Sequence, residues 1–127
     1  MKFEDFISKG SVRKATADTA LATSLVKTAQ SDIIFLDSLS ITETSARKIV
    51  VNYYDVLRSI LEAIAALEGY KIYSHEAFTY YLQKKGERVL STKFDRFRKI
   101  RNGINYYGND VSVDEANEHV KDIKHMI

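Results

Sequence analysis

The chain contains no cysteine, which removes disulfides, thiolate nucleophiles and cysteine-ligated zinc or iron–sulfur centres in one step. It contains no proline and only five glycines in 127 residues. Little in it would break a helix, which argues against a many-stranded fold full of tight turns. No run reaches the ~20 apolar residues of a membrane span, and the opening MKFEDFISKG lacks the apolar stretch of a secretory signal. These absences lead us to expect one soluble cytoplasmic domain over residues 1–127. That length buries a core without cross-links. No cofactor is expected and no membrane contact.

What is present is helical periodicity. Behind a Gly10-Ser11 cap, Val12 to Asp37 runs without a breaker, with Leu21, Leu25, Val26, Ala29, Ile33 and Leu36 spaced to face a core. Ser40 and Glu43 have capping-box spacing. A stripe of Ile49, Tyr53, Val56, Ile60, Ile64 and Leu67 follows, beside a second of Val50, Tyr54, Leu57, Leu61 and Ala65, until Gly69. Two adjacent stripes predict a helix at the centre of the bundle. A short helix opens at Ser74 and closes at Gly86, carrying Ala77, Phe78, Tyr81 and Leu82 inward. A fourth begins near Ser91 and runs to Gly108 with Phe94, Phe97, Ile100, Ile104 and Tyr107 inside. Ser112 and Glu115 form another capping box before Val113, Ala116, Val120, Ile123 and Ile127. The expectation is an all-α, antiparallel up-and-down bundle of about five helices with short connections. In the pairs Tyr53-Tyr54 and Tyr80-Tyr81 one member each should face inward.

Charge is unevenly placed. The net charge is +2, yet Lys84 to Arg101 carries +6, leaving −4 elsewhere. Such a run is either a solvated face or a surface for an anionic partner. It leads into the densest polar segment, Arg96 to Gly108. On a helix Arg98, Arg101 and Asn105 share a face, as do Asn102 and Tyr106. Arg101 lies at the edge of the inner stripe, where a guanidinium needs an anion or carbonyls. Asp55 or Glu62 of the long helix would satisfy it structurally. Gly103 costs about 1 kcal/mol relative to alanine inside a helix, which points to a close approach or a distortion there. His75 reads as a capping or surface residue, and His119 and His125, on different faces, make no metal pair.

The segment Arg98-Lys-Ile-Arg101-Asn102-Gly-Ile-Asn105-Tyr106-Tyr107-Gly108 resembles the motif of HEPN domains, small helical bundles of bacteria and archaea. The layout upstream is similar to prokaryotic members: Ser45-Ala-Arg47, then Asn52-Tyr-Tyr-Asp55, then an Ala/Leu-rich stretch to Gly69 and Ser74-His-Glu76. The resemblance implies a homodimer whose two motifs line one cleft, and a nucleotidyltransferase-type antitoxin as a possible partner. In ribonuclease members the motif is an Arg, a polar residue and a His four to six positions beyond the Arg. Here Arg101 and Asn102 match, and Tyr106 stands where the His is expected. Metal-independent RNA cleavage needs a base and an acid working near neutral pH, and a tyrosine hydroxyl, near pKa ~10, is a poor base there.

Three readings therefore stand open. The leading one is a HEPN-like module that binds RNA, a nucleotide or a partner protein without turnover, through Arg98, Arg101, Asn102, Asn105, Tyr106 and Tyr107. The second is an endoribonuclease toxin with Arg101, Asn102 and Tyr106 as candidate catalytic groups. The third is a structural helper in which Arg101 is a core clamp.

Overall fold

The computed structural model describes all 127 residues. In chain order the elements are α1 (Phe3–Ser8), β1 (Val12–Lys14), α2 (Thr19–Asp37), α3 (Ala46–Leu67), β2 (Tyr70–Ile72), α4 (His75–Lys84), α5 (Arg88–Tyr107) and α6 (Val113–Met126). The bundle is all-α, with six helices rather than about five and a small two-stranded ribbon.

The centre is α3, as its doubled stripe predicts. Ile49, Val50, Tyr53, Tyr54, Val56, Leu57, Leu61 and Ala65 are all buried, and the helix packs against α2, α4, α5, α6 and β2. Both members of the Tyr53-Tyr54 pair are enclosed, because neighbours cover α3 on two sides. Tyr53 OH bonds Asp37 at the end of α2, and Tyr54 OH bonds His75 at the start of α4. Ile64 and Leu67 emerge at the far end, where Ala22 of α2, flanked by the half-buried Leu21 and Leu25, meets Ala63 and Ala66.

Short connections make antiparallel hairpins. Asp18 at the head of α2 donates its N–H to Ala66 O near the tail of α3 (3.0 Å), while Asp37 at the tail of α2 meets Tyr53 near the head of α3. In the α4–α5 hairpin Ser91 Oγ donates to Thr79 O at 2.9 Å, and Phe78 packs edge-on against Phe94. Arg96 of α5 reaches Asp122 of α6 at 3.2 Å. The capping box at Ser112 and Glu115 is formed.

Several expected boundaries differ. The first long helix starts at Thr19, capped by the Asp18 carboxylate accepting from Leu21 N (2.9 Å), not at Val12 behind a Gly10-Ser11 cap. Val12–Lys14 instead pairs antiparallel with Tyr70–Ile72. Phe3 and Phe6 are buried on α1, a helix that periodicity over six residues could not announce. The capping box expected at Ser40 and Glu43 is absent. Ser45 Oγ donates to Ser40 O and accepts from Thr42 N, a local turn that delays α3 to Ala46. Gly69 ends α3 at φ +84°, and a Cβ there would meet Ala15 O at 2.8 Å where the chain before α2 crosses it. Only glycine permits both.

Within α2, Ala22, Ala29 and Leu36 are buried and Leu21, Leu25 and Ile33 half-buried, while Val26 is exposed. Ile34 and Phe35 stand in solvent at 74% and 60% exposure, since α2 packs chiefly on α3 and α6 reaches only its last residue, Lys124 pairing with Asp37.

Candidate functional site

The last three turns of α5 carry the residues that sequence singles out, and α5 runs antiparallel to α3, so Arg101 arrives beside Tyr54. The guanidinium carbon of Arg101 lies 6.0 Å from the centre of the Tyr54 ring and 5.4 Å from that of Tyr106. Its Nη1 donates to Asn102 Oδ1 and to Tyr106 OH, both at 3.1 Å. Its Nε is buried and has no partner. Neither Asp55 nor Glu62 forms an ion pair with Arg101. Glu62 instead takes Arg58 at 3.4 Å, one turn along α3. The expected carboxylate clamp is therefore not made, and both oxygens that Arg101 touches belong to neutral groups.

Gly103 is explained by a close approach. A Cβ on it would lie 2.6 Å from Asn109 Nδ2, whose side chain folds back over the helix end. Asn109 N donates to Gly103 O at 3.0 Å, and Gly108, at φ +66°, turns the chain to make this possible.

Of the other predicted residues, Arg98 is only 15% exposed along its side chain and is held by Asp95, whose Oδ1 accepts from Nε at 3.0 Å and from Nη2 at 2.8 Å. Burial works to raise the Asp95 carboxyl, but the bonds from Arg98 and Lys99 outweigh it and hold it below the usual range. Asn105 and Tyr107 are exposed, and neither side chain makes a hydrogen bond that joins it to the cluster; Tyr106, 67% exposed, joins through Arg101.

The basic run from Lys84 is largely spent on nearby carboxylates. Lys84 pairs with Glu4, Lys85 with Glu68, Arg96 with Asp122, and Arg98 and Lys99 with Asp95. Arg88 and Lys93 have no such partner. Most of this face is accordingly a solvated, internally compensated surface, and the uncompensated cation nearest the core is Arg101.

The structure adds residues that sequence reasoning set aside. His75, the first residue of α4, stacks its ring on Tyr54 (centroids 5.8 Å apart) and places Nδ1 3.0 Å from Tyr54 OH. Burial, reinforced by the charges of Arg58, Arg101 and Arg98, pushes the imidazole down to about 4, so it is neutral at physiological pH. Burial likewise pushes the Tyr54 phenol up, keeping it protonated. Asp55 is half-buried beside the same groups; burial raises its carboxyl, while Arg58 and Arg101 pull the other way. Arg58 Nε, like Arg101 Nε, is buried without a partner. The i, i+4 spacing of Tyr54 and Arg58 could have placed those two on one face, but nothing in the sequence says which helix start lands on Tyr54.

The result is a cluster of guanidiniums at the junction of α3, α5 and the head of α4, with Arg101 beside the rings of Tyr54 and Tyr106 and His75 stacked on Tyr54. No group of side chains in it is suited to a metal ion. It can hold an anion and present an aromatic edge to whatever carries that anion. Compared with known proteins, the chain matches no family model, no curated protein and no solved structure.

Proposed function

We propose that the chain is a HEPN-like binding module that holds RNA or a nucleotide by its phosphate at the Arg101 cleft, without turning it over. One observation carries this reading: Arg101 is a half-buried guanidinium whose only hydrogen-bond acceptors are neutral. A charged acceptor makes a shorter and roughly twofold stronger bond, so a phosphate oxygen would displace Asn102 Oδ1 or Tyr106 OH with gain. The exposed Tyr106 and Tyr107 at the rim offer faces on which a base can stack, a contact of about 1–3 kcal/mol per base. The absence of turnover rests on Tyr106 in the place of the motif histidine.

A second reading, endoribonuclease activity, is favoured by one feature, the presence of His75 in the same cleft. An imidazole held down near 4 is a weak base at neutral pH, which favours binding over cleavage.

The resemblance to HEPN proteins also implies a homodimer and a nucleotidyltransferase-type partner. The exposed Ile34, Phe35 and Leu39 at the end of α2 offer apolar surface for a protein contact. Light scattering on the purified chain reports the dimer directly.

The functional test is fluorescence anisotropy of a short single-stranded RNA in EDTA, with the same samples run on a denaturing gel. Wild type is expected to bind and leave the RNA intact, and Arg101→Met to lose at least tenfold in affinity. Cutting by wild type, abolished in Arg101→Met, would establish the ribonuclease instead. Equal binding by both proteins would remove Arg101 from the site.

A further inference from the structure

His75 is a titratable group of the site that the binding reading leaves without a role, and its surroundings give it one. Nδ1 is committed to Tyr54 OH at 3.0 Å, which leaves Nε2 as the uncommitted ring nitrogen. A tyrosine hydroxyl both donates and accepts. The pair therefore survives either state of the imidazole: the phenol donates to the neutral ring and accepts from the charged one.

The groups around this pair are Asp55 and Arg58 from α3, with Glu62 on Arg58, Glu76 and Thr79 from the first turns of α4, and Arg98 and Arg101 from α5, with Asp95 on Arg98. Asp95 is engaged by Arg98, Lys99 and Thr79, and Glu62 by Arg58. Asp55 forms no ion pair. Two basic groups in the cleft thus lack a carboxylate bond: the Arg101 guanidinium and the His75 imidazole.

We propose that Arg58, Arg101 and the Tyr54–His75 pair form a site for a doubly charged oxyanion, the terminal phosphate of a nucleotide or of an RNA end, and that docking of this anion protonates His75. The inference rests on the reading of the cleft as a phosphate site and specifies which phosphate it takes. In the protein alone, burial and three guanidiniums keep the ring neutral. Two negative charges close by offset most of that guanidinium field and offer the imidazolium a charged partner, and the ring takes one proton from solvent. Arg101 and a protonated His75 then match the two charges of a terminal phosphate. An internal phosphodiester, with one charge, recruits that proton less strongly. Because the imidazole pKa is higher in the complex than in the free protein, binding takes up a proton between the two values. Affinity consequently rises as pH falls through the value of the complex, by up to about tenfold per pH unit.

The test uses sulfate, which stays a dianion throughout, titrated into the whole protein at pH 8.0, 6.5 and 5.5 while ¹⁵N spectra report the His75 ring. Saturating sulfate is expected to convert the His75 signals to the imidazolium pattern at pH 6.5, and sulfate affinity to rise at least tenfold between pH 8.0 and 5.5. His75→Gln is expected to abolish that rise, and Asp55→Asn, which removes the other group able to take a proton here, to keep it. The ring spectrum of wild type needs no variant to be read. In the second arm, a 5′-phosphorylated RNA trinucleotide should bind at least tenfold tighter than its 5′-hydroxyl form at pH 6.5. AMP equal to the phosphorylated trinucleotide would assign the site to a free nucleotide, and weaker AMP would assign it to an RNA end. A His75 ring that stays neutral with sulfate bound, or equal affinity for the two trinucleotides, would overturn the proposal while Arg101-dependent RNA binding left the wider reading intact. Absence of both sulfate and RNA binding would overturn both.

Discussion

Replacing Arg101 by methionine separates a ligand-holding arginine from a structural clamp. A clamp broken on one side leaves a buried charge unpaired and costs about 3–5 kcal/mol. The bonds present here are much less demanding. Arg101 Nη1 donates to Asn102 Oδ1 and Tyr106 OH at 3.1 Å, two neutral acceptors, and Tyr106 is largely exposed, so water can replace the lost donor. One to two such bonds are worth about 0.5–1.5 kcal/mol each before that replacement. Against them stand two gains. The buried, unpartnered Nε disappears, relieving a penalty of about 1–3 kcal/mol for an unsatisfied polar group, and the repulsion from Arg58 and Arg98 is removed. Methionine keeps an apolar stem over the Tyr54 ring. The terms nearly cancel, and the change in stability should lie within about 1 kcal/mol of zero. Urea denaturation with an unchanged m-value is the assay, supported by a thermal midpoint shifted by no more than about 5 °C. A loss of 3 kcal/mol or more would refute the reasoning and make Arg101 a clamp.

Other outcomes follow from the same geometry. Ser91→Ala removes the buried Oγ–H donated to Thr79 O at 2.9 Å and should destabilise the α4–α5 hairpin by about 1 kcal/mol in urea denaturation; no change would mean that the bond contributes nothing. Gly103→Ala gains about 1 kcal/mol of helix propensity but drives a Cβ into Asn109 Nδ2. Since the obstacle is the end of a side chain, the protein should keep its stability while Asn109 is displaced, seen as altered Asn109 side-chain amide signals. For pH, the His75 imidazole is pushed down to about 4 when folded against ~6.5 when unfolded. The unfolded state therefore binds more protons between those values, and stability is full above about pH 6.5 and falls toward pH 4. His119, lowered by burial and by Arg96, adds to the same trend. His75→Gln should flatten the curve in that window. If wild type showed no loss there, the buried neutral imidazole would be wrong.

The sequence made the long helices readable because their evidence is local. Twenty-two residues of doubled stripe in α3, and a capping box feeding strict three-four spacing in α6, are satisfied within their own segments. What it hid is decided at a distance. Val12–Lys14 is a strand only because Tyr70–Ile72 lies beside it, and three residues carry no period that distinguishes them from a helix start. Phe3 and Phe6 look like two isolated aromatics until the ring of Phe3 is seen against Tyr70 and Tyr81. In the cleft, Arg101 and Tyr106 were legible from their spacing on α5. His75 and Arg58 were not, since they come from two other helices and meet Arg101 only through the packing of α3 against α4 and α5. Capping logic alone places His75 at a helix start, correctly, and so makes it look like surface.

Mapping the RNA-induced amide and side-chain shifts of the isotope-labelled protein by NMR tests the central claim most directly. The account predicts that the largest shifts fall on Tyr54, Asp55, Arg58, His75 and the Arg98–Tyr107 segment, with the carboxylate-paired residues Lys84, Lys85 and Arg96 nearly still. Shifts centred on Lys84–Lys93, or spread evenly over the surface, would contradict it and leave the Arg101 cleft without a ligand.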